Sequence, residues 1–589
     1  MRVLWRVLFA VLAIIGTVTV LLTAAGVATL VSLADHAGSS LPERMVLTLD
    51  LDDGVSEGAT ASPLGRLSAH RRHDIESLLE SLTWAAADPR VTALSVEIGD
   101  TTFGLAQAEQ IRRAIATFGR SGKPTYLFSD SLDGTIACHV ASGFDEVWLQ
   151  PSGSVDFKGF MVESPFLRKV LDDLGIEADI SSRHEYKMAP EIVTATRFSD
   201  PSRESLGSLL SSWTGQVVAS VANRRRLTPE KVRALIDRAP LLATEALEAG
   251  LVDRLGYRGQ MRDAVAARAG TTETVDIRSY HARHKTPDTD HRIALIHGIG
   301  TIQRGTSHFS PASANAVMGA DTIAKAIADA VEDEDVEAIL FRVDSPGGDY
   351  VAADTIWHEV RRAREKGKPV VVSMGNTAAS GGYFVAMAAD AIVAEPGTIT
   401  GSIGVFSGKF VLRRFWDRLG VNWDEIHVGA NAPMWSFNQS FTPEQRRRFD
   451  RVLDVIYADF TTKAASARNL TAEEIDRAAR GRVFSGIDAA QLGLVDELGG
   501  LETAVEVIRK KASIPADAPV TLVPFPAPKD LGRALFDALS SGELPLDLEE
   551  LEGYASLARV AKTLEPLLRA VGIVAPRTGQ LMAPDITVR

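Results

Sequence analysis

At 589 residues the chain is longer than one hydrophobic core ordinarily organises, so two or more domains are expected. Its net charge of −13 argues against a nucleic-acid partner, because a phosphate-binding surface needs an excess of lysine and arginine and no long basic run supplies one. The single cysteine, Cys138, excludes an intrachain disulfide and a cysteine-rich metal site, while 45% hydrophobic and 24% charged residues are ordinary for a globular protein.

The first element in the chain is apolar. Residues 7–34 carry no charged side chain; Arg2 and Arg6 precede them, and Asp35 is the first charge beyond. As a helix rising about 1.5 Å per residue, this stretch would cross a roughly 30 Å hydrocarbon core with some tilt. A cleavable signal peptide has a shorter apolar core of roughly 7–15 residues, so a retained transmembrane anchor is expected at 7–34. The two arginines put residues 1–6 in the cytoplasm and the body of the chain on the far side.

The body then repeats itself. Lys123-Pro124 opens one apolar run and Lys368-Pro369 another; FDEVWLQP ending at Pro151 is similar to ADAIVAEP ending at Pro396; Leu174-Gly175-Ile176 matches Leu419-Gly420-Val421. Each pair is 245 positions apart, and Gly250-Leu-Val-Asp253 recurs as Gly493-Leu-Val-Asp496 at a separation of 243. Two tandem copies of one domain are therefore expected, at 45–280 and 292–510. A polar linker is expected at 280–291, and a tail at 511–589 in which Leu551–Val571 reads as a helix. Within the second copy the apolar run 338–343 suits a buried strand, 350–365 has helical spacing up to Gly367, and 369–374 suits the next strand. Strands alternating with helices imply a largely parallel β/α sheet.

The copies differ where chemistry could sit. The second has Asp344-Ser-Pro-Gly-Gly348 after one strand and Ala378-Ala-Ser-Gly-Gly-Tyr383 after the next; the first has Gly99-Asp-Thr-Thr-Phe103 and Asp133-Gly-Thr-Ile-Ala-Cys138 at those places. Ser380 thus faces Thr135. A serine between a strand and a helix sits where backbone N–H groups and the helix dipole favour negative charge. Gly347, Gly348 and Gly381 are candidate oxyanion donors, because glycine lets a substrate backbone come close. Alone, each motif reads equally well as a turn or a helix cap. Together, in one copy only, they point to acyl transfer.

A serine nucleophile needs a base, and none of the 12 histidines sits in a recognisable triad motif. His139, His297, His358 and His427 read as structural residues in core or element positions. His281 and His284 have a spacing seen in metal sites but fall in the expected linker, without carboxylate or cysteine partners, and read as solvated.

At this point the sequence resembles the long, tandem-repeat form of signal peptide peptidase A, peptidase family S49, within the fold group of the Clp protease subunit and crotonase. The resemblance rests on DSPGG (344–348), SMGNTAASGGY (373–383), TGSIGV (400–405) and EYKMAPE (185–191). It implies two ClpP/crotonase-like α/β domains behind an N-terminal transmembrane helix, with Ser380 as nucleophile, Lys187 as general base and Ser402 supporting the lysine. It further implies no cofactor or metal, and cleaved signal peptides and other apolar peptides as substrates. The expected setting is a homotetramer on the periplasmic side of a bacterial inner membrane.

The repeat lends the lysine independent weight. Asp200-Pro201 and Thr442-Pro443 are 242 positions apart, so the counterpart of the Lys187 strip falls within 428–435, which holds no lysine. Each copy then keeps half of a serine–lysine pair, as expected if the copies share one site. Glu185 and Met188 depart from the family's strip around the lysine, and Asp344 varies the glycine motif. Two other readings are a crotonase-type acyl-CoA enzyme and a catalytically silent membrane scaffold.

Overall fold

In both copies the short apolar runs become parallel strands. The structure, a computed structural model, describes residues 41–58, 72–99, 103–284, 289–310, 315–527 and 580–582. In the first copy β1 (Met45–Asp50), β2 (Val91–Glu97), β3 (Thr125–Ser129) and β4 (Glu146–Leu149) pair in parallel in that order. Arg254–Leu255 flanks β4 and Thr274–Asp276 flanks β1. Helices α1 (Ile75–Ala87), α2 (Leu105–Arg120) and α3 (Thr135–Ala141) lie between the strands in the chain. Beyond them come β5 (Glu177–Ser182), which leaves this sheet, and α4 (Asp200–Arg225).

The second copy repeats the plan. Strands β6 (His291–Ile299), β7 (Val336–Ser345), β9 (Val370–Ala379) and β10 (Ala391–Ala394) take the same order, after a short strand β8 (Gly347–Asp349) that joins another sheet. Between β8 and β9 runs α5 (Tyr350–Glu365), and α6 (Gly381–Ala386) follows β9. The starts of β2 and β7, of β3 and β9, of α2 and α5, and of α1 and the helix Ala320–Glu332 are all 245 residues apart, the separation read from the sequence. Strands buried on both faces need near-continuous apolar runs, and β7 shows one: only Glu337 and Asp344 among its ten residues escape full burial. Asp349 caps α5 by accepting from Ala352 N, and Gly367, at φ 85°, turns the chain after it.

Two differences from the sequence reading concern boundaries. The linker expected at 280–291 begins inside a helix, Ile277–Arg283, and ends where β6 starts; Tyr280 of that helix is buried and donates to Asp88. The second sheet extends past residue 510, because β14 (Val520–Phe525) pairs with β6 as Thr274–Asp276 pairs with β1. Residues 1–6, the anchor expected at 7–34 and the helix expected at Leu551–Val571 lie outside the described residues. No helix among the described residues is long and apolar enough to cross a membrane.

The copies interlock at three levels. β5 of the first pairs antiparallel with β12 (Phe406–Val411) of the second over six residue pairs, Ser182↔Phe406 through Glu177↔Val411. The N-terminal part of α4 lies against β13 (Val483–Ser485), where Ser205 Oγ accepts from Val483 N (3.3 Å), and β13 in turn pairs with β11 (Ile399–Gly401). One face of the second sheet, including Ile293, Leu295, Leu340 and Val371, joins the apolar core of the first copy; the other face has its own. Within this contact Arg342 of β7 donates twice to Glu57 (2.8 and 3.0 Å) and also to Ser373 and Met374. A buried guanidinium survives there because Glu57 pairs with it through both carboxylate oxygens and four of its five N–H donors have acceptors.

Candidate active site

Ser380 sits at the turn between β9 and α6. It is fully buried and its backbone is at φ 56°, ψ −113°, a conformation a non-glycine residue adopts only when its surroundings impose it. Hydrogen bonds on both sides hold it: Ser380 N donates to Gly401 O (2.8 Å), and Ser380 O accepts from Phe384 N (2.8 Å) as α6 begins. The second of the two glycines that follow, Gly382, is a packing requirement. A Cβ on Gly382 would stand 2.5 Å from Ser345 O, so the turn can approach the end of β7 only without side chains.

The other glycine turn ends β7 and opens β8. Gly347 is at φ 104°, and its N–H donates to Ser345 Oγ (3.1 Å). A Cβ on Gly348 would collide with the carbonyl of Ile302. The N–H of Gly381 belongs to the residue after the serine, at the start of α6, where first-turn N–H groups lack intrahelical acceptors.

Lys187 comes from the first copy, five residues past β5. The β5–β12 ladder carries the chain across, and Arg183 N donates to Val405 O (2.9 Å) to extend it. The strip then lies on the second copy's 480–482 segment: Tyr186 N donates to Arg480 O (3.2 Å), Arg480 pairs with Glu185 (3.1 Å), and Arg482 stacks on the Tyr186 ring (5.2 Å). Lys187 ends 3% exposed, with Nζ 2.8 Å from Ser380 Oγ and 3.0 Å from both the carbonyl and hydroxyl oxygens of Ser402. Ser402, at φ 52°, is held in that position by donating its N–H to Arg482 O (2.7 Å). Burial pushes the Lys187 ammonium well below its usual 10.5, with no carboxylate to counter it.

The structure thus brings Ser380, Lys187 and Ser402 together across the copies, with Gly381 adjoining and Gly347 and Gly348 on the next turn. Sequence reading missed Gly481. At φ 86° it packs so closely under the strip that a Cβ would come within 2.6 Å of Lys187 N. Its only sequence signal is a glycine between two arginines, too common a pattern to single out. Asp344 is also more engaged than its sequence position suggests: it accepts from Thr377 N (2.8 Å), and burial together with Glu57 raises its pKa.

The histidines stand apart. His139 is buried with Nδ1 2.9 Å from Ser220 Oγ, and burial lowers its pKa to about 3; His297 lies 3.9 Å from Glu76. His358 is an exposed residue of α5. The core or element position expected for His427 is corrected, because it lies in an exposed segment outside any helix or strand. His281 and His284 do not float in a linker: both rings stack on Trp84, and His281 lies 3.3 Å from Glu80. No group of three or more potential metal ligands exists among the described residues.

A strained serine at a strand–helix turn is an arrangement that suits a serine peptidase, and sequence comparison shows that class. The model of peptidase family S49 matches residues 117–272 and 362–515, and the chain belongs to that family. It is 31% identical over 518 residues to the chloroplastic serine protease SPPA of Arabidopsis thaliana, covering 85% of this chain and 74% of that one. It is 31% identical over 531 residues to Protease 4 of Salmonella typhi, covering 85% and 84%. A solved ClpP1 mutant from Listeria monocytogenes matches at 16% identity over 36% of this chain and 94% of its own, with a TM-score of 0.23, a likeness too slight to argue from. Family membership sets aside the acyl-CoA and silent-scaffold readings.

Proposed function

We propose that this chain is a membrane-anchored serine endopeptidase in which Lys187 is the general base for Ser380, degrading signal peptides left after protein export. The observation that carries this reading is the 2.8 Å approach of a buried amine, without a carboxylate partner, to a buried serine hydroxyl. A neutral amine has two N–H donors and one lone pair. The carbonyl and hydroxyl of Ser402 accept the two N–H groups, which leaves the lone pair for the Ser380 hydroxyl.

Ser380 Oγ then attacks the scissile carbonyl as its proton passes to Lys187 Nζ. The tetrahedral oxyanion is met by the backbone N–H groups of Gly381 and Gly348, the N–H of Gly347 being held by Ser345 Oγ. The lysine ammonium gives its proton to the departing amine, leaving an ester on Ser380. Water deprotonated by the same lysine hydrolyses that ester and frees the serine. The cycle calls for no metal or cofactor.

The charge-free stretch 7–34 behind Arg2 and Arg6 supports an anchor in a bacterial inner membrane with the body on the periplasmic side, beside the bilayer where apolar remnants remain. A homotetramer is supported by the family resemblance and by one exposed apolar segment, in which Leu419, Trp423, Ile426 and Val428 are 60%, 61%, 99% and 97% accessible. The test is hydrolysis of a signal-sequence peptide by wild type, Lys187→Ala and Lys187→Arg. Both variants are expected to lose at least about 10³-fold in kcat/KM, since guanidinium does not deprotonate in this range. Wild-type activity should rise with pH on a limb well below 10.5, and substantial turnover by Lys187→Ala would sink the assignment.

A further inference from the structure

The segment beneath Lys187 comes from a helix that one copy completes and the other leaves early. α7 (Pro443–Arg468) matches α4, with both of its ends 243 residues further on. At the same separation α8 (Ala472–Ala478) matches the helix Pro229–Arg238, but α8 stops three residues short. In the first copy the counterparts of Arg480 and Gly481, which are Asp237 and Arg238, are still helical. In the second copy the chain leaves the helix at Ala479, with Arg480 at φ 60° and Gly481 at φ 86°. The 480–482 segment so released serves the site twice: Arg480 O accepts from Tyr186 N, and Arg482 O accepts from Ser402 N.

A continued helix would spend the Arg480 N–H on the carbonyl four residues back. Here that N–H donates instead to Tyr457 Oη of α7 (3.2 Å). The Tyr457 ring also lies against the ring of His184, which stands at φ 64° just before the lysine strip, with 4.5 Å between centroids. One side chain thus bears on both the strip that carries Lys187 and the segment beneath it. The first copy has Thr214 at this place, and its hydroxyl donates to Leu210 O within its own helix (2.8 Å). We propose that Tyr457 is a positioning residue for the reaction: it holds the 480–482 segment out of the helix and the strip against it, and so fixes where Lys187 Nζ stands relative to Ser380. The inference rests on the peptidase reading above.

Loss of that hold has two effects that a general loss of stability would not produce. Lys187 shifts from the serine, which lowers kcat, and water reaches Nζ, which returns its pKa toward the usual 10.5. The charged groups around the strip are matched with one another, Glu185 and Asp476 with Arg480, Glu204 with Arg482, and Asp450 and Asp454 with Arg183; His184 is the titratable ring at Tyr457. The test measures kcat and KM against pH on a fluorogenic apolar peptide, with full-length wild type, Tyr457→Ala and Tyr457→Phe. Tyr457→Ala is expected to lower kcat about 10- to 100-fold with KM within about threefold, and to move the low-pH limb of kcat up by about half a unit or more. Tyr457→Phe keeps the ring on His184 and loses only the acceptor, so kcat should fall about 3- to 10-fold, with a smaller shift of the limb in the same direction. As the milder change, it decides the matter if Tyr457→Ala does not fold. A limb that stays in place in every folded variant, whatever the loss of kcat, overturns the positioning role and leaves the peptidase reading standing. Absence of hydrolysis by wild type sinks both.

Discussion

The turn after β3 and the turn after β9 are the same turn built twice, and only one is strained at a reactive side chain. In the first copy the positive φ falls on Gly134, at 98°, and α3 starts at Thr135. Thr135 Oγ1 donates to Gly159 O at 2.7 Å, so its hydroxyl is tied to the local backbone. In the second copy the helix starts one residue later, at Gly381, and the positive φ falls on Ser380. A side chain in that conformation costs on the order of 1–3 kcal/mol, which surrounding structure must offset. The bonds from Ser380 N to Gly401 and from Phe384 N to Ser380 O supply part of that restraint. A β/α repeat does not require a strained non-glycine residue here, since the first copy makes the turn with Gly134.

Exchanging the two hydroxyls' fates is the sharpest way to break this comparison. Ser380→Ala should lower peptide hydrolysis at least about 10³-fold while Thr135→Ala leaves kcat/KM within about threefold of wild type, in parallel steady-state assays. Comparable losses in both would mean that the first turn shares the chemistry. A smaller effect is expected at the seat of the lysine strip. Gly481→Ala places a Cβ against Lys187 N and should lower kcat about 10- to 100-fold with a cooperative unfolding transition retained, because a displacement of roughly 1 Å is enough to spoil proton transfer.

The smallest expected effect concerns how the copies meet. Glu76 of α1 faces His297 of β6, and burial, with Asp74 and Glu80 nearby, raises its pKa from 4.5 to about 8. A carboxyl whose folded pKa is raised favours the fold fully below about 4.5 and loses that contribution as pH climbs to about 8. Glu76→Gln should therefore flatten the decline in stability across that window, by on the order of 1–3 kcal/mol at pH 8 in denaturant titrations. An unchanged pH profile would remove Glu76 from the interface's titration.

Much of this comparison was legible in the sequence because it lies in local pattern. The 245-residue spacing fixed which strand of one copy matches which of the other, and the apolar runs of β7 and β9 marked buried parallel strands. The juxtaposition of Ser380, Lys187 and Ser402 was legible because long motifs surround them. What stayed hidden depends on distant contacts. Nothing in EADISS or FSGKFV announces that β5 and β12 pair with each other, since alternation sets a face and not a partner. Arginine is ordinarily exposed, so a buried Arg342 on Glu57 contradicts the default reading of its type. The strand Gln580–Met582, three residues long, is below the length at which periodicity speaks.

The β5–β12 ladder has a consequence for how such a chain can change over time. It ties the 2.8 Å approach of Lys187 to Ser380 to two stretches of sequence that otherwise mutate separately, so drift in either half shifts the same contact. Gly408 illustrates the point: a methyl group there would collide with the backbone of Asp179 and Ile180 across the ladder. A change at a strand residue distant from Ser380 would therefore move the amine from the hydroxyl, so with Lys187 serving Ser380 as proposed neither copy is spare.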